Sequence, residues 1–202
     1  EEALNFMNPC AFNTKDPLYI KYHDEVWGRP CYDSLKMFKL IALESQHAGL
    51  SWLTILKKKS AYEDAFYQFD PNRIAQMTQD DISQLMSFPN IIHNRKKLEA
   101  IVNQAKGYLE IERQHGSFSG FLWKTVDLEP INMHYQTPEA RITVDERATQ
   151  LSKALKSFGF SFLGPVTVFS FLEAAGLYNS HLESCPHNPA HTDKTLAPAA
   201  WF

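Results

Sequence analysis

The sequence predicts an all-α fold, and three observations carry that prediction. Apolar residues recur at three- and four-residue steps through most of the chain, the period of a helix with one buried face. Helix starts are signalled repeatedly, by Asp33-Ser34, by Asp70-Pro71, by Thr78 with Asp81 three residues on, and by Gly164-Pro165. Beyond stray residues nothing suggests strands, and no internal repeat is visible. A chain of 202 residues, 44% hydrophobic and 13% aromatic, can bury a good core and is read as one globular domain, 1–202.

Composition also bounds function. A formal net charge of −3 argues against a generic polyanion binder but leaves room for a local basic face. No apolar run approaches the length of a membrane span, and the first residues show no signal-peptide pattern. Three widely spaced cysteines do not suggest a disulfide framework. An intracellular enzyme or binding domain, without a membrane partner, is the expectation.

Taken in order, residues 1–9 carry no strong pattern. In DPLYIKYHDEVWG, 16–28, Pro17 after Asp16 opens a helical turn on which Tyr19, Tyr22, His23 and Trp27 cluster. From the Asp33 or Ser34 cap, helical periodicity runs to Ala48, with Met37, Leu40, Ile41, Glu44 and Ala48 on one stripe. Gly49 lets the chain turn, Leu50 stays on the connection, and Ser51 caps a helix whose inner face runs from Trp52 to Phe69. On that helix Lys57, Lys58 and Lys59 read as the solvated side. Shorter helices follow, from Pro71 to about Met77 and from the Thr78 box to near Ser87. Pro89-Asn90 marks a turn, asparagine being the residue after glycine best able to take positive φ. A long amphipathic helix then reaches Gln114, so 79–114 reads as helix, hairpin, helix. His93, Arg95, Lys96 and Lys97 concentrate charge where that second helix starts, either to hold a phosphate or as ordinary solvated side chains. After a short helix at 117–125, the irregular 127–142 reads as a loop between halves. Helix 144–158 carries Lys153 and Lys156 on its polar side. The very apolar helix 165–178 is expected at the centre of the core, and the Pro/Ala-rich tail, 186–202, is expected to be disordered.

Two sets of residues carry chemistry. Glu44 interrupts an apolar stripe, which is costly unless the carboxylate is paired, hydrogen-bonded or beside a cavity. With Trp52, Tyr22, Tyr19 and Phe12 it makes a candidate pocket for a flat, cationic or electron-poor ring. A solvated glutamate and a core tryptophan are the ordinary alternative. The second set is a candidate metal site: His181 and Cys185 stand one helical turn apart, and Cys10 and His23 can complete four soft ligands that tie the chain ends together. His187 or His191 can substitute for one of them. Four protein ligands leave no position open for water, so such a site is structural. Cys31 is left over and read as buried.

The segments DPLYIKYHDEVWG, LESQHAGLSWLTILKK, NIIHNRKKLEAI, LSKALKSFGFSFLGP and AAGLYNSHLESC together resemble the family of bacterial 3-methyladenine DNA glycosylase I, in that family's order and from Cys10 to Cys185. The resemblance implies the helix-hairpin-helix DNA glycosylase fold, two helical lobes with a base pocket between them. It implies that Glu44 recognises a flipped base, that Tyr22 and Trp52 stack on it with Tyr19 near, and that Phe12 covers it. Cys10, His23, His181 and Cys185 then match one structural zinc ion per chain. Gly49 and Leu50 become a wedge in the duplex, while Asn90, His93, Arg95, Lys96 and Lys153 contact DNA. The implied partner is double-stranded DNA carrying alkylated bases, and the implied setting is a monomer in a bacterial cytoplasm.

This chain departs from the family pattern in places. Ala11-Phe12 stands where Gly-Trp is expected, Ser45 and His47 where Gly and Gln are, Asn90 for the hairpin glycine and His93 for an arginine. Those changes bear on substrate range and DNA grip. Methylation at N3 makes adenine a cation with a weak glycosidic bond, and the pocket motif has no lysine for a Schiff base, so the implied activity is hydrolytic release without strand cleavage. Two alternatives stand beside it: a zinc-stabilised binding protein for damaged DNA that has lost turnover, and a zinc hydrolase with an open metal position.

Overall fold

The computed structural model describes residues 8–192 and 197–202. Nine α-helices occur among these residues: α1 (Pro17–Glu25), α2 (Ser34–Gln46), α3 (Trp52–Ala65), α4 (Pro71–Ile74), α5 (Gln79–Leu85), α6 (Arg95–His115), α7 (Phe118–Trp123), α8 (Glu146–Ser157) and α9 (Pro165–Ala174). The caps read from the sequence are in place. Asp16 accepts from the Leu18 amide, Asp33 rather than Ser34 caps α2, Ser51 caps α3, and Thr78 and Asp81 satisfy each other's amides in a full capping box.

The central element is α2. Residues 40–46 are buried on every side, and α2 packs on α3, α6, α7 and α9. Helix α9, expected at the centre, lies on one flank against α2 and α8 and exposes Val166. It also ends four residues early. Gly176 takes φ +75°, and a Cβ there would lie 2.2–2.4 Å from the Arg29–Pro30 backbone, so the helix stops to let that segment cross. The freed residues form β2 (Tyr178–Asn179), which pairs in parallel with β1 (Ile131–Asn132), Ile131 opposite Tyr178. This pair clamps the long irregular connection onto the end of α9.

Two other expectations are corrected. The tail 186–202 is not free where it is described: Asn188 is buried and donates to the carbonyls of His181 and Leu182, and Phe202 is buried as well. Its residues 193–196 lie outside the described ones. Lys59 is not solvated, because it pairs with Glu63 at 2.6 Å and donates to the Trp201 carbonyl.

Asn90 takes φ +64° at the tip between α5 and α6, the conformation expected of it. Asn90→Ala is expected to cost roughly 1 kcal/mol and Asn90→Gly close to nothing. Urea unfolding of the two variants checks this, and equal losses in both would count against strain at that position.

Candidate active site and metal cluster

Glu44 stands in the last turns of α2 with 1% of its surface exposed. Ser170 on α9 donates to its Oε1 at 3.2 Å. The other oxygen, Oε2, has no hydrogen-bond partner among the described residues, and His47 Nδ1 lies 3.7 Å from it. Burial raises the Glu44 pKa above the usual carboxylate range, while His47 and Ser170 oppose the shift. The carboxylate borders a cavity of about 290 Å³, room for a single planar bicycle. Tyr22, Tyr19, Trp52 and Phe12 all line it, so the structure brings together the five residues read from the sequence. Tyr22 and Trp52 meet with ring centroids 5.7 Å apart, and Phe12 lies 5.2 Å from Tyr19. Burial, and then the charge of Glu44, push the Tyr19 phenol up to about 12, so it remains a donor.

Several wall residues were not foreseen. Ser170 and Glu173 come from α9, where Thr167, Ser170 and Glu173 form a polar stripe at three-residue steps on an otherwise apolar helix. That pattern was visible and has the same meaning as Glu44 on α2. Trp27 and Arg141 also line it, with Ile142 and Thr143 beside Arg141, and the guanidinium lies 5.2 Å from the ring centroids of both Phe12 and Trp27. Nothing in the sequence around Arg141 marks it, since it arrives on the irregular connection. Burial, with the charge of Glu44 adding and Arg141 opposing, pushes Glu173 up to about 7.

A pH dependence follows. A carboxylate whose folded pKa is raised stabilises the fold fully below its unfolded value, near 4.5 for Glu173, and that contribution is lost as pH rises through about 7. Glu173→Gln is therefore expected to match wild type near pH 4. It should gain on wild type by on the order of 1–2 kcal/mol, a few degrees in Tm, by pH 8. Calorimetry at both pH values tests this, and a constant Tm difference would contradict it.

Beside the pocket, Gly49 takes φ +79° and Leu50 projects at 38% exposure before Ser51 restarts the helix. This turn is tied to the 88–97 hairpin by buried polar contacts. Lys97 donates from Nζ to the carbonyls of Gln46 and Ala48, a cation closing the C-terminal end of α2. Gln46 Nε2 donates to the Lys97 carbonyl, and Tyr62 joins Gln46 to the Ile92 amide. Lys97 is thus structural, not solvated. Arg95 is engaged with Glu99, Ser83 and Gln79, its guanidinium bridging α5 and α6. Lys96 and His93 are exposed, His93 with Nε2 2.6 Å from the Phe88 carbonyl. Lys153 is exposed on α8 and borders a separate hollow with Phe162 and Pro165.

The second site closes where the chain ends meet. Cys10, His23, His181 and Cys185 are buried, and one ligand atom of each lies within 4.8 Å of all the others. The four sulfur–nitrogen separations run from 3.2 to 3.8 Å. A tetrahedral ion with metal–sulfur bonds of about 2.3 Å and metal–nitrogen bonds of about 2.0–2.1 Å implies separations of about 3.5 Å. Both imidazoles are oriented from behind: His23 Nδ1 lies 2.7 Å from Asp24 Oδ1, and His181 Nε2 lies 2.7 Å from the Trp27 carbonyl. These acceptors take the N–H of each ring and turn its lone pair toward the sulfurs. Hydrogen bonding to Cys185, with the Leu182 amide and Arg141 also helping, outweighs burial and holds the Cys10 thiol down to about 7. The cluster can hold a metal ion, and the four residues fit one.

Similarity to known proteins defines the class, a helical DNA glycosylase. The solved structure of 3-methyladenine DNA glycosylase I from Staphylococcus aureus superposes with a TM-score of 0.91 at 68% identity, over 92% of this chain and 99% of that one. The family model of the methyladenine glycosylases matches residues 12–188, and the chain belongs to that family. Among its relatives are the DNA-3-methyladenine glycosylase of Haemophilus influenzae, 45% identical over 88% of this chain and 96% of that one. DNA-3-methyladenine glycosylase 1 of Escherichia coli is 42% identical over 89% and 96%.

Proposed function

We propose that this protein excises N3-methyladenine from alkylated duplex DNA by hydrolysis of the N-glycosidic bond, without a strand-cleaving step. The observation that carries the reading is the unpaired Oε2 of buried Glu44 facing a cavity walled by aromatic rings. A cationic purine swung out of the helix satisfies that oxygen and gains stacking and cation–π attraction. Neutral adenine gains less there and is harder to unstack from an intact pair. Hydrolysis breaks the C1′–N bond, whose electron pair leaves with the base and makes it neutral. Water bonds to C1′ as hydroxyl and gives its proton to solvent. The pocket's task is to select the cation, keep the glycosidic carbon near water and stabilise the positive charge that grows on the sugar. No lysine lines the cavity among the described residues, and the buried Lys97 is held by two carbonyls, which supports a monofunctional enzyme.

In this reading two helical lobes meet along α2, and 79–114 is the helix-hairpin-helix that grips the phosphate backbone. Gly49 and Leu50 fill the gap left by the flipped base, and Asn90, His93, Lys96 and, farther off, Lys153 approach phosphates. Zinc is the ion for two thiolates and two imidazoles, and its role is structural because no ligand position stays open. Pocket and cluster are each complete within one chain, in keeping with a monomer acting on DNA in the bacterial cytoplasm. No helix among the described residues is long and apolar enough to cross a membrane.

The experiment is direct. Purified protein is incubated with methylated duplex DNA, the released bases are separated by chromatography, and the strands are checked for nicks. Release of 3-methyladenine with intact strands is the expected result. Retention of methylated DNA with no base released would favour the binding-protein alternative.

A further inference from the structure

Residues 197–202 lie past the end of the family match at 188, yet they fold back onto the helices that build the pocket. The Ala199 amide donates to the Glu25 carbonyl, and the Trp201 indole donates to the Glu25 carboxylate, both at the end of α1. Lys59 on α3 donates to the Trp201 carbonyl at 3.0 Å, and Lys39 on α2 to the Phe202 carbonyl. Lys21 lies 4.8 Å from the Trp201 ring centroid. Lys39 and Lys59 each lie 5.5 Å from that of Phe202. So short a segment, held by three helices at once, packs one group into the interior. The Phe202 ring is 4% exposed and meets the Tyr22 ring at 5.7 Å and 49°.

Tyr22 is the link to function. Its ring lines the cavity of Glu44, while Phe202 packs on it from outside the cavity. An aromatic side chain in an α-helix pivots about χ1 and χ2, and a ring packed against it narrows that freedom. We propose that residues 197–202 are a strap that fixes the Tyr22 ring against the base pocket, with Phe202 a positioning residue for base recognition. The proposal rests on the reading of the cavity as a site for a methylated purine. The lysines hold the strap by its carbonyls and ring faces, so the apolar ring is delivered to one place and the polar backbone stays satisfied.

The test uses the full chain and free 3-methyladenine as the probe. Three quantities are measured for wild type, Phe202→Ala and Phe202→Leu: the dissociation constant for the free base, the single-turnover rate of base release from methylated duplex DNA, and Tm. Leucine keeps most of the apolar volume and removes the ring, so it serves if the alanine variant does not fold. Both variants are expected to bind the free base about five- to tenfold more weakly and to release it correspondingly more slowly. Phe202→Leu should do so with Tm near wild type, and Phe202→Tyr should recover base affinity. Base affinity and release at wild-type levels in Phe202→Leu would overturn the proposal, whatever happens to Tm. A wild-type protein that neither binds nor releases the base would instead remove the reading of the pocket, a failure visible before any variant is compared.

Discussion

Replacing Glu44 by glutamine is expected to slow release of 3-methyladenine by about 30- to 100-fold while leaving the fold intact. The size follows from what is lost. A hydrogen bond to a charged group is worth about 1.5–3 kcal/mol, and the amide keeps the shape of the side chain while losing its charge. Glutamine still accepts from Ser170, so the side chain keeps its anchor on α9. Stability should hold or rise at pH 8, because burial penalises the carboxylate and not the amide. Single-turnover kinetics on methylated duplex DNA, with Tm alongside, separates the two effects. Wild-type release by Glu44→Gln would take the carboxylate out of base recognition.

Removing the metal is expected to have the larger effect on stability. Cys10 and His23 lie at one end of the chain and His181 and Cys185 at the other, so an ion held by all four adds a cross-link to ends that already meet through the Gly28 and Cys31 amides on α9's last carbonyls. Structural zinc contributes about 10–16 kcal/mol in small peptides that fold around it. Here most of the core, around α2, lies away from the cluster, and a loss on the order of 5 kcal/mol is expected, which lowers Tm by about 10–20 °C. Cys185→Ser should behave similarly, because one missing thiolate leaves an incomplete tetrahedron. Calorimetry before and after chelation, with metal content determined on the same sample, makes the check. Purified protein without bound metal and with an unchanged Tm after chelation would contradict it. Activity should fall in parallel, since α1 carries His23 together with Tyr19 and Tyr22 of the pocket. A cobalt-substituted protein with two thiolate and two imidazole ligands would also dispose of an open, catalytic metal position.

Much of this molecule was legible in its sequence because the signals are local. Asp16, Asp33, Ser51 and Thr78 cap helices through contacts two or three residues away. Glu44 was conspicuous because a charge on a buried stripe has to be explained wherever the helix goes. The cluster of Cys10, His23, His181 and Cys185 was legible from residue types that bind soft metals, together with the family resemblance. The polar stripe on α9 is equally local, but the apolar character of the helix as a whole masks it.

What the sequence determined by itself was the set of helices, their buried faces and the acid and rings of the pocket, all consequences of periodicity and short-range hydrogen bonding. Only the tertiary structure decided that Arg141 and Glu173 face Glu44, that Lys97 closes the end of α2 instead of meeting solvent, and that Phe202 backs Tyr22. Each of those depends on segments 49 to 180 residues apart being brought into contact. A lysine or phenylalanine has the same local signature whether it is solvated or buried. Its fate is set by which distant carbonyl or ring the packed helices place beside it, and no local pattern contains that information.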